Sequence, residues 1–109
     1  MAISIETNNG VCRLRVEGEM TIYNAAEFKH AFLANLPGCV EMEINLSGVS
    51  EMDTAGFQML LVAKREAVVY GKKLCLVAHS PATLDVLDLY NMAGYFGDPV
   101  VMSPPQKTT

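Results

Sequence analysis

The most constraining feature of this 109-residue sequence is a hairpin signal close to its start. Residues 3–7 and 11–17 alternate apolar and polar side chains, which is the pattern of strands with one buried face. Asn8-Asn9-Gly10 separates them, and an Asn-Gly pair favours the tight turn between two antiparallel strands. Gly18 is expected to end the second strand. The chain therefore begins with two paired strands, and the rest of the fold must build on them.

Beyond this hairpin the apolar pattern changes its period several times. Helical spacings of three and four residues alternate with short apolar runs that are typical of buried strands. The predicted elements are a helix from Asn24 to Leu36, a strand over 39–46, a loop over 47–50, a helix over 54–70, a strand over 74–78, a helix from Pro81 to Met92 that Gly94 ends, and a short strand near Val100–Met102.

This order, β-β-α-β-α-β-α-β, predicts a single α/β domain. Strands that alternate with helices imply crossover connections, so we expect a mixed sheet of four to five strands with the helices packed mainly on one side. The domain is expected to cover residues 1–103, and residues 104–109 are expected to form a disordered tail.

Charge and composition exclude several classes of function. The net charge of -4 argues against nucleic acid, because phosphate-backbone binders are normally basic. No apolar run reaches the roughly 18 residues of a membrane span, and residues 1–10 lack the pattern of a secretory signal. Cys12, Cys39 and Cys75 are odd in number, widely spaced and next to Val or Leu, so we expect reduced core cysteines and a cytoplasmic location.

Motifs for catalysis or cofactor binding do not occur in the sequence. Neither G-x-x-x-x-G-K-[ST] nor G-x-G-x-x-G is found, so a glycine loop for nucleotide phosphates is unsupported. His30 and His79 lie far apart, and no pair of cysteines has the spacing of metal ligands. We therefore expect no enzyme activity, no metal and no cofactor.

Asp53-Thr54-Ala55-Gly56 is the strongest site candidate, because it follows a predicted strand and opens the most hydrophobic helix. A helix N-terminus tolerates an anion, and two nearly absent side chains would leave the Thr54 hydroxyl accessible. Ordinary capping by Asp53 or Thr54 explains the same residues without any function. Ser50-x-x-Asp53 offers a further capping box in which the helix starts earlier. Local chemistry leaves these alternatives open.

The whole pattern resembles the STAS domain of anti-sigma-factor antagonists and their relatives. The resemblance is carried by Gly18-Glu19-Met20, by Asn24-Ala25-Ala26-Glu27-Phe28, and by Ile44-Asn45-Leu46-Ser47-Gly48-Val49 leading into Met52-Asp53-Thr54-Ala55-Gly56-Phe57. It implies a STAS-like fold in which Thr54 is the phosphoacceptor of an anti-sigma-factor kinase and phosphorylation releases the partner. The residues that it implies for partner binding are Asp53, Thr54, Ala55, Gly56, Gln58, Met20, Thr21 and Met52.

The sequence departs from the family pattern in ways that keep other partners open. Thr54 stands where Ser is commoner, Ala55 replaces a frequent second hydroxyl, and Thr21 and Asn45 replace frequent Asp residues. STAS proteins with D-T-A-G also serve as non-catalytic subunits of ABC-type lipid transporters, where Thr54 would dock an ATPase subunit without obligatory phosphorylation. Gln58-Met59-Leu60-Leu61 is similar to STAS regulators of chemotaxis gene clusters. A weak homodimer is also left open.

Overall fold

The computed structural model describes residues 1–89. Its strands are β1 (Ala2–Asn8), β2 (Val11–Met20), β3 (Glu41–Met52) and β4 (Lys73–His79), and its helices are α1 (Ala25–Asn35), α2 (Thr54–Val69) and α3 (Pro81–Leu89). A short 3₁₀ turn over Leu36–Gly38 follows α1. The predicted strand near Val100–Met102, the end of the last helix and the tail over 104–109 lie outside the described residues.

The predicted hairpin is confirmed. β1 and β2 pair antiparallel from Ala2 opposite Glu17 to Asn8 opposite Val11. Asn9 and Gly10 both have positive φ, 54° and 83°, as the tight turn between twisted strands requires. β3 then pairs parallel to β2, and β4 parallel to β3, so the sheet is mixed and its order is β1-β2-β3-β4.

Two predicted boundaries are wrong at the same end of the sheet. Gly18 does not end β2, and residues 47–50 are not a loop, because β2 and β3 remain paired as far as Met20 opposite Met52. The pairing shifts register twice on the way, and Gly18 adopts a φ of +95°. Glycine accepts this conformation without strain, so the strand bends instead of stopping.

The hydrophobic core lies between the sheet and its helices. Alternate strand residues are buried on this side, including Leu14, Ile44 and Leu76, which are 0% exposed. Phe28 and Phe32 of α1 stack in the same core with ring centroids 6.1 Å apart. The opposite face of the sheet carries charged residues such as the ion pair of Arg13 and Glu43, at 3.0 Å. The prediction of helices mainly on one side is therefore confirmed.

The prediction of three reduced cysteines is wrong. Cys12 at the start of β2 and Cys39 just after the 3₁₀ turn form a disulfide with their α-carbons 5.8 Å apart, whereas Cys75 is free. The return of the chain from α1 to β3 brings the two cysteines together, and their separation of 27 residues in sequence concealed the pairing. The reduced-cysteine argument for a cytoplasmic location therefore fails.

The parallel strands β2, β3 and β4 all run toward one edge of the sheet. Three connections meet there: the loop from β2 to α1, the step from β3 into α2, and the step from β4 into α3. Within residues 1–89 no helix is both long and apolar enough to cross a bilayer. The candidate site around Thr54 lies at the edge of the sheet where these three connections meet.

Candidate functional site

Asp53 is the N-cap of α2 and ties the helix to the loop from β2 to α1. The N–H of Gly56 donates to its Oδ1 at 2.9 Å, and the N–H of Ile22 donates to its Oδ2 at 3.1 Å. The Gly56 N–H holds the pKa of Asp53 below its ordinary value against the opposing effect of desolvation, and the Ile22 N–H lowers this pKa further. Ser50 lies exposed within β3, so the alternative capping box does not form.

Thr54 is the first residue of α2, and its side chain is exposed. Because the carboxylate of Asp53 caps the helix, the hydroxyl of Thr54 is not needed for capping. Gln58, one turn later and also exposed, lies near Thr54 on the surface of α2, while Ala55 is half-buried. The two alternatives from the sequence are thus separated: Asp53 is the cap, and Thr54 presents an exposed hydroxyl.

Gly56 has a packing role inside the fold. It is buried, and a β-carbon at this position would collide with the carbonyl oxygen of Met20 and would lie 3.2 Å from Cγ of Met52. The backbone of β2 therefore approaches Gly56 closely. The missing side chain allows α2 to seat on the sheet.

Three predicted contact residues lie beneath the loop. Met20 is 0% exposed, and Thr21 and Met52 are each 9% exposed. The hydroxyl of Thr21 is buried without a hydrogen-bond partner among the described residues. Side chains with so little accessible surface offer a docked protein little direct contact. That they bind a partner stays a prediction; in the fold, Met20 and Met52 lie against Gly56 at the start of α2.

Ile22 and Tyr23 are surface residues of this site that sequence reasoning missed. Their side chains are 65% and 92% exposed, and the backbone of Ile22 is bonded directly to Asp53. The available signal was weak. Thr21-Ile22-Tyr23 falls where the strand alternation has ended and the helical spacing has not begun, so no period requires its apolar side chains to be buried.

Comparison with known proteins agrees with this architecture. The family model described as "Mlab, STAS domain" matches residues 3–102, and the chain therefore belongs to the STAS domain family.

Solved structures show the same fold at low sequence identity. An anti-sigma factor antagonist from Mycobacterium paratuberculosis is 22% identical with a TM-score of 0.80, and the match covers 93% of this chain and 87% of that one. A putative anti-sigma factor antagonist from Thermotoga maritima is 21% identical with a TM-score of 0.80 over 88% and 84% of the two chains. The Bacillus cell fate determinant SpoIIAA in its phosphorylated form is 18% identical with a TM-score of 0.71 over 93% and 94%.

Proposed function

We propose that this chain is a non-catalytic regulator of the anti-sigma-factor antagonist type. In this proposal it binds an anti-sigma factor or switch kinase through the loop at Thr54, and phosphorylation of Thr54 by that kinase ends the complex. The observation that carries the proposal is the exposed Thr54 side chain at the start of α2, beside a neighbour, Asp53, that already caps the helix. Thr54 is therefore available for modification without loss of the cap.

The electrostatics of the loop suit a switch that acts at an interface. A phosphate on Thr54 would bring about -1.5 to -2 charges next to the carboxylate of Asp53. The N-terminus of α2 tolerates negative charge, so the domain is expected to stay folded after modification. A partner that packs over Thr54 would have to desolvate the phosphate or withdraw. Binding, rather than folding, is thus the property that phosphorylation changes.

Incubation with candidate kinases and ATP, followed by intact-mass measurement, tests the phosphoacceptor. The wild type should gain the mass of one phosphate, and Thr54→Ala should gain none. Thr7→Ala is the matched control, because Thr7 is also exposed but lies on β1. No phosphate on the wild type with any kinase encoded by the same genome, together with tight binding to an ABC ATPase, would overturn the proposal.

The second candidate is a non-catalytic subunit of an ABC-type lipid transporter. The D-T-A-G loop supports it, because Ala55 leaves a single hydroxyl and the exposed Thr54 can dock a partner without being modified. A STAS regulator of a chemotaxis cluster is a variant of the same docking role. Gene neighbours separate the candidates: a kinase and a sigma factor, an ABC ATPase and permease, or chemotaxis genes.

All these partners would meet the chain in the cytoplasm. A cytoplasmic location is part of the proposal. The disulfide of Cys12 and Cys39 argues against this location, since such bonds are rare in reducing compartments.

A further inference from the structure

An exposed apolar pair lies on the loop from β2 to α1, which is hydrogen-bonded to Asp53, the residue before Thr54. Ile22 is 65% and Tyr23 is 92% exposed. Single exposed apolar residues are common on protein surfaces. These two are consecutive, however, and the backbone of Ile22 is held by the residue that precedes Thr54. The pair is therefore continuous with the surface that the proposed function assigns to a partner.

The loop that carries this pair is fixed in place at several points. The N–H of Asn24 donates to the carbonyl oxygen of Thr21 at 2.9 Å, and its side-chain amide donates to the carbonyl oxygen of Glu19 at 2.8 Å. Asp53 holds Ile22 at 3.1 Å, and the side chain of Thr21 is buried. A backbone already ordered in this way loses little conformational entropy when a partner binds.

Negative charge borders the same surface on the side of the sheet. Glu19 and Glu51 are direct neighbours across β2 and β3, and both are exposed. Like charges opposite each other destabilise a strand pair. Residues 19–24 and 50–58 together contain three carboxylates, those of Glu19, Glu51 and Asp53, and no Lys, Arg or His. A protein that covers this surface would need basic residues where it meets Glu19 and Glu51.

We propose that Ile22 and Tyr23 are the apolar anchors of the docking surface around Thr54. The occupant is a protein with an apolar pocket for these two side chains, bordered by Lys or Arg residues that face Glu19 and Glu51. Tyr is among the residues that most often dominate binding at interfaces. This inference rests on the proposed function and adds the chemistry of the partner. It also adds a consequence for the switch: a phosphate on Thr54 would directly follow Asp53, the residue that holds the backbone of Ile22.

Site-specific photo-crosslinking in cells tests the surface while its partner is still unidentified. A benzophenone amino acid replaces Tyr23 in one variant and Tyr70 in the other. Tyr70 is the matched control, because it is a 56% exposed tyrosine at the far end of α2. Position 23 should give a crosslink to one protein, mapped by mass spectrometry to an apolar segment flanked by Lys or Arg. No crosslink above that of position 70, or a crosslink to an acidic surface, overturns the inference.

The affinity of variants for the captured protein then measures what the apolar anchor and the acidic residues each contribute to binding. Tyr23→Ala should weaken the affinity about 30-fold or more, as at an interface hot spot, whereas Tyr70→Ala should leave it unchanged. Glu19→Gln with Glu51→Gln should reduce the dependence of binding on salt, and Glu6→Gln on β1 should not. Equal effects of Tyr23→Ala and Tyr70→Ala would contradict the assignment of the anchor.

The outcomes for the anchor and for the switch are separable. If Tyr23 crosslinks as expected but Thr54 never carries phosphate, the anchor stands and the phosphorylation switch fails. If phosphate on Thr54 releases a partner whose affinity is insensitive to Tyr23→Ala, the switch stands and the anchor fails.

Discussion

Gly56 at the start of α2 lies directly against the carbonyl oxygen of Met20 at the end of β2, with no room between them for a side chain. The contact joins the first turn of the helix to the strand that leads into the loop of Ile22 and Tyr23. Asp53 makes a second connection between the same two segments through its bond to Ile22. The position of Thr54 is therefore fixed by the packing of α2 on β2.

Gly56→Ala should destabilise the domain. The added methyl group must displace the backbone of β2 or tilt α2, and overpacking of this kind typically costs about 1–3 kcal/mol. Urea unfolding measures the change in the free energy of unfolding. Gly38→Ala is the control, because a β-carbon at Gly38 would have no heavy atom within 4 Å apart from its neighbours in the chain. Equal stability of the two variants would show that the backbone at Met20 moves at little cost to accept the added methyl group.

The carboxylate of Asp53 should make stability depend on pH in the acid range. Its folded-state pKa is depressed, chiefly by the N–H of Gly56, so its contribution is fully present above the unfolded value of about 3.9. Protonation of the folded state at lower pH removes that contribution. The melting temperature of the wild type should therefore fall between neutral pH and about pH 3, in a pH window set by these pKa values. The melting temperature of Asp53→Asn should fall less over the same range.

Asp85→Asn serves as the reference in this experiment, because Asp85 is an exposed carboxylate on α3, outside the site. A pH dependence of Asp53→Asn identical to that of the wild type would mean that the hydrogen bonds to Asp53 add nothing to stability. Asp53→Ala, which also removes the capping oxygen, should lose about 1 kcal/mol at neutral pH.

Much of the fold could be predicted from the sequence, because each element carries its own periodic signal. The hairpin at Asn9-Gly10 and the start of α3 after Ser80 were local features: the N–H of Thr83 donates to the Ser80 hydroxyl at 3.2 Å. The extension of β3 through residues 47–52 was not predictable in this way. It depends on pairing with β2 across register shifts, and such pairing is a property of two strands together.

The sequence could not show which residues of the candidate site are exposed, for a related reason. A motif identifies which residues belong to a loop but not which of them point outward. Gly56 and Met20 are buried because α2 packs closely on β2. The sequence of neither segment alone predicts the distance between them. The exposure of Tyr23 likewise follows from the path of a loop fixed by Asp53. Tertiary packing therefore decided the division between supporting and exposed residues.

The disulfide of Cys12 and Cys39 should stabilise the domain where it forms. It joins two cysteines that are 27 positions apart in the sequence. Removal of such a constraint typically lowers the free energy of unfolding by about 2–4 kcal/mol. Chemical denaturation with and without reductant, on wild type and on the Cys12→Ser, Cys39→Ser double variant, measures this difference. Reductant should destabilise only the wild type.

Cys75→Ser is the control for general effects of thiol removal, because Cys75 is outside the disulfide. Mass spectrometry after rapid alkylation in cells shows whether the bond exists in the compartment where the chain resides. Full alkylation of all three cysteines there would mean that the fold does without the bond in that compartment.

Thr54→Glu should separate binding from folding. The new carboxylate lies at the first position of α2, where the helix dipole favours negative charge, and the side chain is exposed. The melting temperature should therefore change little, while affinity for the partner falls by an order of magnitude or more, as expected for an uncompensated charge in an apolar interface. Calorimetry and a binding titration on the same preparation measure both quantities.

Thr54→Val supplies the matched comparison, because it keeps the shape of threonine without the hydroxyl or a charge. It should retain stability and should lose binding only where the hydroxyl itself contacts the partner. A switch by phosphorylation alone therefore predicts strong binding by Thr54→Val and weak binding by Thr54→Glu, whereas permanent docking through the hydroxyl predicts weak binding by both. A parallel fall in melting temperature and affinity for Thr54→Glu would instead show that Thr54 mainly stabilises the start of α2.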